Sequence, residues 1–129
     1  GDELDEGDDY PLFAVRVGQS VIADEDRGLD TFGILVGGTG NGEIIALNKV
    51  KGVRAALAVS TDLVASARQE QNANALVIGA NQTNLEQAKQ LIQAALENEY
   101  VGAIDSSRRI INVGEYENLG TIEGWLIEG

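Results

Sequence analysis

Residues 37–43 read Gly-Gly-Thr-Gly-Asn-Gly-Glu, four glycines in six positions followed directly by a carboxylate. Glycine lets a backbone approach an anion closely, and successive free N–H groups can point at one oxygen. A carboxylate beside such donors could act as a general base while they stabilise an enolate-type oxyanion. The same residues also fit a plainer purpose. A tight turn from strand to helix uses glycine, and an acid in a first helical turn is stabilised by the helix dipole by ~0.3–1 kcal/mol. Both readings of the loop, and both readings of Glu43, stand at this point. Two phosphate motifs are excluded: no Gly-Lys-Ser/Thr follows the loop, and from Gly38 or Gly40 the third glycine of the dinucleotide fingerprint is absent.

Composition narrows the chemistry further. The chain has no His and no Cys, which removes the commonest general base, thiolate metal sites and cysteine nucleophiles together. Proton chemistry therefore falls to Asp, Glu, Lys or Tyr. Met is absent too, even at the first position, which reads as a processed or missing start. Nine basic against 21 acidic residues give a net charge of −12. That balance argues against a nucleic-acid partner, whose phosphates each need a cation, and against an anionic membrane surface.

The elements that must position the loop follow from periodicity. At 129 residues with 43% apolar content, one globular domain is expected. Residues 1–9, "GDELDEGDD", form a solvated acidic entry segment. "YPLFAVRVGQSVIAD" has apolar residues at 12, 13, 15, 17, 21 and 22, a helix with Pro11 in its first turn. "FGILVGG", "RAALAVS" and "ALVIGA" are short unbroken apolar runs, the pattern of strands buried on both faces. "NGEIIALNKV" is a helix with Asn41 as its N-cap, and "TDLVASARQEQ" one capped by Thr61. "NLEQAKQLIQAALEN" is capped by Asn84 and carries a stripe of Leu85, Ala88, Leu91, Ile92, Ala95 and Leu96. "SSRRIINVGEYENLG" reads as a helical or irregular extension, and "TIEGWLIEG" as a tail with Trp125 as a docking anchor.

Alternating strands and helices imply a parallel sheet in an α/β layered fold. Three strands leave apolar edges that another copy or further strands must cover. Asn72 and Asn74, just before the third strand, suit C-capping and turn chemistry as well as a ligand role. Tyr10 suits packing over the start of its helix, and Arg108 with Arg109 a solvated basic pair. No apolar run reaches the ~20 residues of a membrane span, and no signal-peptide pattern opens the chain. A soluble, cytoplasmic protein is expected.

The order of motifs is specific. "DDYP", "GILVGGTGNGEIIALNKVKGVRAAL", "ARQEQNANALVIGA" and "RRI" resemble the type B ribose-5-phosphate isomerase family, which includes the galactose-6-phosphate isomerase subunits. The resemblance runs from about Asp9 to Gly120, and "GNGE" matches the branch that uses a glutamate base. Gly37 stands where the other branch carries a cysteine. By this resemblance the fold is a three-layer, Rossmann-like parallel sheet flanked by helices, without the family's N-terminal strands. It implies a metal- and cofactor-free aldose–ketose isomerase of small phosphorylated sugars acting through a cis-enediolate. Glu43 would be the base and Thr39 would add its hydroxyl. Backbone N–H groups around Gly38, Thr39, Gly40 and Gly42 would hold the enediolate oxygens, and Tyr10 would line the sugar pocket. Asn41 and Asn72 would bind substrate, with Asn72 and Asn74 in the segment that reaches the site, and Arg109 would bind the phosphate.

Departures accompany the match. The Asp-His-Ala-Gly opening is absent, the ring-opening histidine position is Glu70, and the next asparagine is Gln71. Of the phosphate arginines, two positions hold Asn81 and Asp105, Ser106 replaces a histidine, and Arg109 keeps its place. Each lost charge-assisted bond forfeits ~1.5–3 kcal/mol. Two readings follow: an active homodimer or tetramer with sites shared between subunits, or a catalytically impaired member, partner subunit or scaffold. The expected organisation is an entry segment at 1–9, an isomerase-like domain at 10–104, and an extension at 105–129 docking on a neighbouring subunit.

Overall fold

A computed structural model describes residues 10–122. Three strands, β1 (Gly33–Gly37), β2 (Ala55–Leu57) and β3 (Ala75–Gly79), form a parallel sheet in the order β1-β3-β2. Five helices surround it: α1 (Tyr10–Asp26), α2 (Asn41–Leu47), α3 (Thr61–Gln71), α4 (Leu85–Glu97) and α5 (Ile104–Leu119). The α/β layering expected from the alternating apolar runs is the architecture observed.

β3 is the central strand, and all five of its residues are buried. Its alternating side chains split the core in two, as the period of a strand requires. Leu76 and Ile78 pack with Val64 of α3 and with Leu91 and Ala95 of α4. Ala75 and Val77 pack on the other face with Ala14 of α1 and Leu47 of α2. Gly18 lets α1 lie close to the turn after α2, since a Cβ there would meet Val50 and Val53 at 3.0–3.2 Å.

The outer strands differ from the expectation of burial on both faces. β1 lies at an edge of the sheet, with Ile34 38% and Val36 59% exposed. Both lie in register with Leu76 and Ile78, on the α3–α4 face, and α4 covers β3 without extending across them. β2 is shorter than its apolar run and only half-buried. Its outer edge is closed by a side chain: Asn48 accepts from the Ala55 N–H at 2.9 Å and donates to the Ala55 carbonyl at 3.2 Å. An amide thus mimics one rung of a fourth strand.

Two helix starts shift by one residue from the expected caps. Gly40, not Asn41, is the N-cap of α2, in the left-handed region at φ 86° that favours glycine. Ser60, not Thr61, caps α3, its hydroxyl accepting from the Leu63 N–H at 3.2 Å. The Asn84 cap of α4 is as expected and is completed into a reciprocal box by Gln87. α2 ends at Leu47, before Asn48-Lys49-Val50 turn into the loop.

Polar side chains lock the amino-terminal end of the sheet. Asn74 is 2% exposed and accepts from the Arg54 N–H at 2.7 Å while donating to the Gly52 carbonyl at 3.0 Å and to Glu25. Arg68 donates to the carbonyls of Ala73, Ala95 and Asn98 and lies 4.7 Å from the centre of the Phe32 ring. α5 joins the same end through Glu117, which accepts from the Gly52 N–H at 2.8 Å. The segment 105–119 therefore packs on its own chain, and Trp125 and the rest of the expected docking tail lie outside the described residues.

Candidate active site

The loop between β1 and α2 sits at the carboxyl ends of the parallel strands, where α/β sheets bind ligands. Its conformation is fixed from the neighbouring turn after β3. The Ala80 N–H donates to the Gly37 carbonyl at 2.7 Å and the Asn81 N–H to the Gly38 carbonyl at 2.8 Å. The Gln82 side-chain amide donates to the Thr39 carbonyl at 2.8 Å. Three consecutive carbonyls are thereby turned toward residues 80–82.

Glu43 reaches back from the first turn of α2 to the end of β1. Its carboxylate occupies the place that a Cβ on Gly37 would take. Gly37 and Glu43 are consequently a matched pair: the slot exists because the strand residue has no side chain. Gly42 plays the same part for Tyr10, since a Cβ there would lie 2.6–2.8 Å from the Tyr10 ring and hydroxyl. Thr39 accepts from the Asn41 N–H through its Oγ1 at 3.2 Å, which orients the hydroxyl and leaves its proton free to donate. Asn41 itself is exposed at the first position of α2.

Tyr10, Gly38, Thr39, Gly40, Asn41, Gly42 and Glu43 thus gather at one end of one chain. Asn72 and Arg109 do not join them. Asn72 is the left-handed C-cap of α3, at φ 51°, just before β3 begins. Because Gly33 pairs with Ala75 and Gly37 with Gly79, it lies at the opposite end of the sheet from the glycine loop. The length of the strands alone separates them by roughly 13 Å. Asn74, beside it, is committed to the buried network described above. Arg109 is exposed on α5, whose Ile110, Val113 and Glu117 face Val53, Arg54 and Ala73 at that same amino-terminal end. Arg108 makes an exposed contact with Asp105 at 3.6 Å.

Several clefts lie at this second end. One of about 660 Å³ is lined by Glu25, Asp30, Arg68, Asn72, Asn74 and Tyr100 among others, and one of about 370 Å³ lies between α5 and β2. Neither includes Thr39 or Glu43. Among the described residues no group of three or more His, Cys, Asp or Glu could hold a metal ion. No helix among them is long and apolar enough to cross a membrane. Sequence reading missed Gln82 and the Gly37 slot, because neither an exposed glutamine nor a strand-end glycine carries a spacing signal.

Comparison with known proteins identifies the family. The family model described as Ribose/Galactose Isomerase matches residues 1–113. Ribose-5-phosphate isomerase B of Mycolicibacterium paratuberculosis is 38% identical over 113 residues, covering 88% of this chain and 69% of that protein. The probable ribose-5-phosphate isomerase B of Mycoplasma genitalium is 40% identical over 114 residues, covering 88% and 72%. The crystal structure of the Mycoplasma genitalium protein with bound ribulose-5-phosphate matches with a TM-score of 0.83 and 37% identity, covering 92% of this chain and 76% of that one. The Thermotoga maritima ribose 5-phosphate isomerase matches at 0.77 and 37%, covering 84% and 71%. With a glycine loop and carboxylate at the strand ends, and this likeness over most of its length, the chain belongs to the ribose/galactose isomerase family.

Proposed function

We propose that the chain is a sugar-phosphate aldose–ketose isomerase of the ribose-5-phosphate to ribulose-5-phosphate type, with Glu43 as its base. The observation that carries the reading is the carboxylate of Glu43 held in the Gly37 slot at the end of β1. In the forward step the carboxylate takes the proton from C2 of the open-chain aldose and leaves a cis-enediolate. The hydroxyl proton moves from O2 to O1, and the carboxylic acid returns its proton to C1 to give the ketose. Negative charge on the enediolate oxygens is met by loop N–H groups and by the Thr39 hydroxyl, donors fixed before the substrate arrives. Tyr10 lines the sugar beside Gly42.

The same reading makes the protein a homo-oligomer, a dimer or tetramer. Asn72 and Arg109 act on the substrate only if a second copy brings its amino-terminal sheet end to the first copy's glycine loop. Arg109 then supplies a charge-assisted bond to the phosphate.

Glu43→Gln keeps the size of the side chain and removes its basicity. Turnover of ribose 5-phosphate is expected to fall by about 10²–10⁴-fold, with an unchanged melting temperature. Retention of more than a tenth of the wild-type rate in this variant would remove Glu43 from the role of base.

A further inference from the structure

The three carbonyls of Gly37, Gly38 and Thr39 accept hydrogen bonds from one short turn, residues 80–82, and two of the three donors are backbone N–H groups. The third is the side chain of Gln82. Every peptide bond among the described residues is trans. In a trans peptide the carbonyl of one residue and the N–H of the next point in opposite directions. Holding these carbonyls toward residues 80–82 therefore turns the N–H groups of Gly38, Thr39 and Gly40 the other way, away from that turn. The peptide between Thr39 and Gly40 depends on a side chain for this, and it leads into Gly40, a buried residue in the left-handed region at φ 86° whose carbonyl accepts from the Ile44 N–H.

A second feature shows that room has been made for the clamp. A Cβ on Gly79 would collide with the Gln82 amide and with the Thr39 carbonyl. Gly79 thus keeps the end of β3 bare where the two groups meet. The Gln82 backbone N–H also bonds the Gly79 carbonyl at 3.2 Å, which fixes the turn from which the side chain springs.

We propose that Gln82 is a positioning residue for the isomerase reaction: by holding the Thr39 carbonyl it keeps the Gly40 N–H presented to the enediolate. It touches no reacting atom. The inference rests on the isomerase reading above and extends it to a residue outside the glycine motif.

Gln82→Leu fills the same space over Gly79 and removes the donor. Because Gln82 is exposed, the melting temperature is expected to stay within about 2 °C of wild type. Loss of a complete oxyanion donor lowers kcat by about 10²–10³-fold, so a loosened one is expected to lower it about 10–100-fold, with KM within about threefold. A purely structural role would move the melting temperature or KM and leave this split unseen. The crystal structure of Gln82→Leu is expected to show the 39–40 peptide rotated or in two orientations. An unchanged kcat, or an unmoved peptide, overturns the proposal. If wild type itself shows no turnover of ribose 5-phosphate, the isomerase reading falls, and the peptide orientation in Gln82→Leu still decides whether the clamp exists.

Discussion

At the scale of single residues, the site is defined as much by absent side chains as by present ones. Glu43 lies at the strand end only because Gly37 leaves its place empty. Gly37→Ala makes a direct test of that pairing. Its new Cβ would displace the Glu43 carboxylate, which can swing into solvent at little cost in stability. We expect turnover to fall at least tenfold, since a misplacement of about 1 Å can cost 10²-fold, while the melting temperature moves by only a few degrees. Measuring both on one preparation checks it, and a fully active Gly37→Ala would show that the slot has no bearing on function. The motif itself was legible, because four glycines followed by a carboxylate are rare enough to stand out. The slot was not legible, since which glycine faces which side chain is a property of packing.

Helices and strands were legible from period and apolar runs, and their ends less so. The expected caps of α2 and α3, Asn41 and Thr61, each lie one residue past the observed ones, Gly40 and Ser60. Adjacent residues can share cap-type chemistry, and backbone geometry chooses between them. At α4 the expected cap, Asn84, is the observed one, completed at the right spacing by Gln87. Asn84→Ala removes the side-chain half of that box, the acceptor for the Gln87 N–H, and is expected to destabilise the protein by ~1 kcal/mol, within the range for such caps. Chemical denaturation should show a lower midpoint at unchanged slope. An unaltered midpoint would mean that α4 is held by its Leu91 and Ala95 face alone.

For the molecule as a whole, the sheet topology separates residues that the sequence lists close together. Asn72 lies seven residues before Gly79 in the chain, yet the two sit at opposite ends of β3. No periodicity could reveal that two ends of one sheet serve one site through a second copy. If they do, mixing two inactive variants restores activity. Glu43→Gln and Arg109→Ala subunits, unfolded together and refolded as a 1:1 mixture, should recover roughly a quarter of wild-type activity as a dimer, since half the dimers then carry one intact site of two. No recovery, with light scattering showing mixed oligomers, would place Arg109 outside the neighbouring site.

The uncovered apolar residues Ile34 and Val36 belong to the same scale. They realise the expectation that a three-stranded parallel sheet leaves an edge open, although the short strand itself had read as buried.

The central claim is that Glu43 moves a proton between C2 and C1 of a pentose phosphate. Its most direct test follows ribose 5-phosphate by proton NMR in D₂O with wild type and with Glu43→Gln. The account predicts ribulose 5-phosphate carrying deuterium at C1 with wild type, and at least a hundredfold slower formation and exchange with Glu43→Gln. Equal exchange rates in the two proteins, or no conversion by wild type, would contradict it.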